Sequence, residues 1–84
     1  MAEEFRTREL HEASALALFT KPIRLEYDAI DSEIIFIFPE EAKENSNKYW
    51  NNELKVDARE YANSFKEMKI RLFAFKKREE ENNG

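Results

Sequence analysis

The stretch Val56-Asp57-Ala58-Arg59-Glu60-Tyr61 constrains this chain more than any other, because it reads as a complete helix start. Asp57 stands where an N-cap carboxylate accepts from unpaired first-turn N–H groups. Glu60, three residues on, is placed to reach back to the Asp57 amide as the other half of a capping box, and Val56 and Tyr61 can close as a hydrophobic staple. An apolar row follows at Tyr61, Phe65, Met68, Leu72 and Phe75, spaced at helical intervals with no Gly or Pro between them. The spacing predicts one long helix from Asp57 to about Arg78, about 33 Å long.

The rest of the chain must supply what that helix packs against. Eighty-four residues make one domain, with an expected stability of roughly 4–12 kcal/mol. Seven Phe, three Tyr and one Trp provide the core material. Ile23 to Ala29 alternates apolar and polar residues, which marks a half-buried strand. Ile30-Asp31-Ser32 carries turn chemistry. In the next strand, Glu33 to Phe38, Ile34, Phe36 and Phe38 face one way while Ile35 and Ile37 face the other. With both faces apolar it is the better buried strand, or its second face meets a partner.

Upstream, residues 1–4 are expected to fray, Phe5-Arg6 to be a short extended piece, and Thr7 to cap a first helix reaching about Phe19. Ala13, Ala15 and Ala17 make that helix thin, and Thr20-Lys21-Pro22 stops it. Pro39 suits the first turn of a short, largely polar helix, with Glu40, Glu41 and Glu44 near its positive end and Tyr49-Trp50 as its anchor. Asn51-Asn52 ends it, and residues 79–84 form an acidic tail. The expected architecture is a small two-layer α+β domain over residues 5–78, an antiparallel hairpin covered by helices in the order (β)-α-β-β-α-α.

Several of these positions resemble a family of small, uncharacterised bacterial, archaeal and phage domains. The resemblance rests on Phe5 and Thr7; Leu10, Ala13 and Leu16; Phe36 and Phe38; Tyr49 and Trp50; Val56, Asp57 and Ala58; then Lys66, Lys69, Leu72 and Phe73. It covers residues from about 5 to 74. Thr20-Lys21-Pro22 departs from the Gly common after the family's first helix. The resemblance implies carriage by a phage or mobile element and a fold; it implies no activity, catalytic residue or cofactor.

Charge narrows the function classes. Residues 1–60 hold 14 acidic and 8 basic side chains, whereas residues 61–78 hold six basic ones against Glu67 alone, within a net −4. The acidic whole argues against a general nucleic-acid coat. No Cys is present, and His11 is the sole His, so neither disulfides nor a Cys/His metal site is expected. No apolar run approaches the ~20 residues that span a bilayer, and no signal-type segment follows the first residues. The expected compartment is the cytoplasm, the host's for a phage-borne chain.

No enzyme is expected. The clusters Glu3-Glu4, Glu40-Glu41 and Asp28/Asp31/Glu33 lie in loops or at helix starts, where solubility and the helix dipole account for them. Ser14, Ser32, Ser46 and Ser64 lack a nucleophile context. Asp31-Ser32-Glu33 has oxygens for a cation but neither the spacing nor the Gly of a calcium loop. No cofactor is expected. The leading expectation is a protein-binding or adaptor module, its partner another protein or a second copy. It would act through Lys69, Phe73, Phe75, Lys76 and Lys77 on the last helix, with Trp50 as an aromatic anchor. The alternative is a nucleic-acid accessory protein that tracks phosphates with Lys66, Lys69, Arg71, Lys76, Lys77 and Arg78, with Tyr27, Tyr49 or Trp50 stacking on bases.

Overall fold

In a computed structural model that describes residues 3–82, the chain runs β1 (Glu4–Thr7), α1 (Leu10–Leu16), β2 (Arg24–Asp28), β3 (Glu33–Pro39), α2 (Ala42–Trp50) and α3 (Ala58–Asn82). The order is the expected α+β one, with the extended piece around Phe5 a full strand. The sheet order is β1-β3-β2, all antiparallel. β3, the strand with two apolar faces, is therefore central, paired on one side with Glu4–Thr7 and on the other with Arg24–Asp28.

The inner face of the sheet meets the helices. Phe36 and Phe38 are buried there with Ala13 and Leu16 of α1, Ala42 of α2 and Met68 of α3; Phe5, Leu10, Leu25 and Leu72 pack around them. α1 lies between α3 and α2, and α3 also touches β2. Small residues on α1 allow a close approach. The Ser64 hydroxyl of α3 donates to the Ser14 carbonyl at 2.7 Å, and Ser14 donates back to the Leu10 carbonyl at 2.8 Å.

Among the described residues no helix covers the outer face, since α1, α2 and α3 all pack on the side of Phe36 and Phe38. Ile37 is nonetheless 0 % exposed. Its cross-strand neighbours are Arg6 on β1 and Arg24 on β2, which share its face because directly opposed residues point the same way. Their guanidinium groups link with Glu4 and Glu26 over the central strand. Arg24 donates to both Glu4 oxygens at 2.7 and 2.9 Å and to Glu26 at 2.8 Å; Arg6 donates to Glu26 at 2.9 Å. The arginine stems lay hydrocarbon over Ile37 while their heads stay wet. Hydrogen bonds from Arg24 hold the Glu4 carboxyl below the usual range, and those from Arg24 and Arg6 do the same for Glu26.

Five expectations are corrected. Thr7 does not start the first helix; it ends β1, and α1 begins at Leu10 after Glu9, whose side chain makes no cap bond. The ladder to β3 pairs the backbone groups of residues 4–7 that face it, which outweighs a local cap preference. Glu4, expected to fray, is in that ladder; Met1 and Ala2 lie outside the described residues. α1 stops at Leu16 rather than Phe19. The chain tightens there, with Leu18 N–H to Ala15 O at 3.2 Å and Phe19 N–H to Leu16 O at 3.0 Å, as a three-residue turn would, ahead of the Pro22 barrier. Pro39 closes β3 instead of opening α2, where its missing N–H costs no central ladder bond. Finally, α3 continues through Glu79, Glu80 and Glu81 to Asn82. Glutamate is a good helix former and no breaker intervenes, so the expected acidic tail is helical as far as it is described; Asn83 and Gly84 lie outside.

Two helix boundaries expected from local chemistry hold, the start of α3 and the end of α2. The Asp57 carboxylate accepts from the Glu60 N–H at 3.0 Å. The return bond from Glu60 to the Asp57 amide is absent among the described residues, and Val56 stays exposed. Asn52, at φ 60, closes α2. Its N–H reaches Tyr49 O at 3.2 Å and the Glu53 N–H reaches Lys48 O at 2.7 Å, the paired bonds of a Schellman motif with Asn in the left-handed position.

Candidate functional site

The apolar row of α3 faces inward: Met68 and Ser64 are buried, and Tyr61, Phe65, Leu72 and Phe75 are half-buried. Because this row meets α1 and the sheet, the opposite side of the helix faces outward. Two large apolar residues are on that side, Ile70 at 60 % and Phe73 at 57 % exposure. They are three residues apart, hence on one face. Lys66 lies one turn before Ile70, Lys77 one turn after Phe73, and Lys69 and Lys76 flank Phe73 at the same helical spacing; all four are exposed. Glu80 and Glu81 complete the outer face at its C-terminal end.

The residues expected to bind are thereby divided. Lys66, Phe73 and Lys77 share the outer side, with Lys69 and Lys76 on its flank, towards Phe65 and the β2–β3 hairpin. Phe75 does not; it is half-buried and, with the exposed Ala74, lines a groove alongside Pro22, Ile23 and Leu25. Arg71 and Arg78 line that same groove, on the flank away from Phe73. Lys76 lies also at the rim of a small apolar groove of about 240 Å³ between the β2–β3 hairpin and α3, floored by Leu10, Phe36 and Leu72 and bordered by Tyr27 and Phe73.

Trp50 is at a different place, the end of α2. Its ring is 61 % exposed and meets Tyr49 edge-on at 5.1 Å, while its indole N–H donates to Glu12 at 2.8 Å. Glu12, at 3 % exposure, is the functional-looking group that pattern reading passed over. Its Oε1 accepts from the Thr7 hydroxyl at 2.5 Å, and its Oε2 accepts from the Ser46 hydroxyl as well as from Trp50. The Thr7 hydroxyl in turn accepts from the Glu9 N–H at 3.1 Å. One carboxylate thus ties β1, α1 and α2. The available signal was an acidic residue directly beside Ala13 and on the buried side of α1; burial of a carboxylate demands donors, and Thr7, Ser46 and Trp50 are those donors. With both oxygens engaged, Glu12 acts as a clasp.

His11 is exposed on α1 and engaged with α3. It stacks on Phe65 at 4.9 Å, and its Nδ1 is 2.8 Å from the Tyr61 hydroxyl. Lys69 lies over the other aromatic partner, 5.8 Å from the Phe65 centroid. Burial, then the nearby Tyr49 and Glu9 charges, pushes the Tyr61 phenol up; burial, Glu9 and Glu12 do the same to Tyr49.

The remaining acidic cluster is spoken for by one guanidinium. Arg8 donates to Asp28 at 2.7 Å, to Asp31 at 2.9 Å and to Glu33 at 2.7 Å, and these partners hold it more firmly protonated than an ordinary arginine. Burial raises the Asp28 carboxyl, but backbone N–H groups of Asp31 and Ile30 and the Arg8 charge outweigh it and leave it lowered. The Asp28 carboxylate closes an Asx turn by accepting from the Ile30 N–H, and Ser32, at φ 55, follows in the same hairpin loop. Through Arg8, Asp28, Asp31 and Glu33 lock the hairpin turn to the β1–α1 junction. Among the described residues no helix is long and apolar enough to cross a membrane. No family model, curated protein or solved structure matches the chain.

Proposed function

We propose that this chain is a protein-binding module without a catalytic role, and that its binding face is the outer side of α3. One observation carries this reading. Ile70 and Phe73 stand side by side, both more than half exposed, on a helix whose opposite face is already packed against α1 and the sheet. Large apolar pairs of this kind, ringed by charge, are the usual centre of a protein contact. Lys69, Lys76 and Lys77 form the rim.

The alternative, phosphate tracking by Lys66, Lys69, Arg71, Lys76, Lys77 and Arg78, is less well supported. Arg71 and Arg78 lie on another flank, and Glu80 and Glu81 close the outer face with charge that repels a phosphate backbone.

Photo-cross-linking separates the two. Benzoylphenylalanine placed at position 73 in cells is expected to cross-link to protein, and the same group at exposed Glu40 is not. Cross-links to nucleic acid alone, or equal protein cross-linking at both positions, would overturn the reading.

A further inference from the structure

We propose that the protein which meets this face is a second copy of the same chain, docked α3 against α3 in antiparallel orientation about a twofold axis near Phe73 and Ala74. The inference rests on the reading of α3 as the binding face and names its occupant.

The outer face is antisymmetric in charge about Phe73. Lys66 and Lys69 precede it by two turns and one turn; Glu80 and Glu81 follow it by two turns, and all four are exposed. An antiparallel copy reverses that order. With the axis near Phe73 and Ala74, Lys66 of one copy comes level with Glu81 of the other, and Lys69 with Glu80. Helical phase agrees with position: Lys69 and Glu80 lie on one side of Phe73, Lys66 and Glu81 on the other, and a twofold axis between the helices brings like sides together. Symmetry makes each pair twice. A parallel alignment would instead set lysine against lysine.

The centre is equally self-complementary. Phe73 meets its symmetry mate across the axis. Lys76 of one copy is level with the ring of the other's Phe73, where an ammonium is attracted to an aromatic face. The Lys77 stem covers Ile70 of the opposite copy, head in water. The lysines near the middle thus act through their stems and through the ring rather than against each other. An acidic protein or a nucleic acid on the same face would leave Glu80 and Glu81 against like charge. The sheet's outer face offers no competing patch, because its ionic ring already covers Ile37.

Charge exchange tests the arrangement. Variant one carries Lys66→Glu and Lys69→Glu; variant two carries Glu80→Lys and Glu81→Lys. All four positions are exposed, so circular dichroism is expected to show both folded. Sedimentation equilibrium of the full chain is expected to show a salt-weakened dimer. Each variant alone is expected to associate at least about tenfold more weakly, and an equimolar mixture to recover as a heterodimer, since every inter-copy pair in it is again of opposite sign. Wild-type chain that stays monomeric up to about 1 mM, the weak end of specific affinity, would sink the proposal, as would a mixture that fails to recover. If either variant unfolds, the decision falls to wild type against Ile70→Ser/Phe73→Ser, which must abolish the dimer. A monomeric wild type that still cross-links to another protein at position 73 defeats the self-pairing alone; a monomer with no protein cross-link defeats the binding face as well.

Discussion

The Trp50 indole N–H lies 2.8 Å from the Glu12 carboxylate and donates to it, so the last residue of α2 is fastened to the buried face of α1. Thr7 and Ser46 donate to the same carboxylate from β1 and from the middle of α2. Three elements, β1, α1 and α2, are thus held at one point.

Glu12→Ala removes the acceptor and leaves three donors to find water or remain unpaired. A loss of about 3 kcal/mol is expected, since hydrogen bonds to a charged group are worth about 1.5–3 kcal/mol each and orphaned buried donors add to the cost. Urea denaturation followed by the fluorescence of Trp50, the one tryptophan, measures it. The emission of the folded variant is expected to shift as well, because the indole N–H loses its partner. Trp50→Phe removes only the exposed donor and is expected to cost about 1 kcal/mol.

The two acids of the α3 start are unequal. Asp57→Ala is expected to cost about 0.5–2 kcal/mol, the range for a lost N-cap, because the Asp57 carboxylate takes the Glu60 N–H. Glu60→Ala is expected to cost a few tenths of a kcal/mol, which dipole complementation alone supplies. Equal losses in thermal melts of the two variants would mean that a reciprocal box does form in solution.

The ionic ring over Ile37 makes stability depend on acid pH. Glu4 and Glu26 have folded values below the ordinary 4.5, from the hydrogen bonds of Arg24 and Arg6. A lowered carboxyl contributes fully above the unfolded value and loses that contribution as pH falls through the folded value. Urea midpoints are therefore expected to drop as pH falls below about 4.5, and Arg24→Gln to make that drop shallower. An unchanged slope in the variant would show that the ring adds nothing beyond covering Ile37.

The core and the outer face of α3 are expected to respond in opposite ways. Met68→Ala opens the cluster around Phe36 and Phe38 and is expected to cost about 2–5 kcal/mol. Ile70→Ser changes an exposed position and is expected to stay within about 0.5 kcal/mol for the monomer. Its effect belongs in the sedimentation experiment. A large monomer loss from Ile70→Ser would place that residue in the fold and not in a contact.

What the amino-acid order by itself determined is what short-range periodicity governs, together with the cap at Asp57. The 3.6-residue row from Tyr61 to Phe75, the Asp57 cap, the alternation in β2 and the two apolar faces of β3 each arise within a few residues, and the element order follows from them. The tertiary structure decided what depends on partners distant in the chain. Thr7 reads as a helix cap until β3 supplies a ladder. Glu12 reads as one more surface acid until Thr7, Ser46 and Trp50 converge on it. Arg8 selects Asp28, Asp31 and Glu33 only once β1 lies beside β3. Phe73 and Phe75, two residues apart on one helix, part company because the sheet and α1 claim a single side of α3. The physical reason is the same in each case: backbone conformation is biased locally, but burial and the pairing of polar groups are settled only when remote segments come within hydrogen-bonding distance.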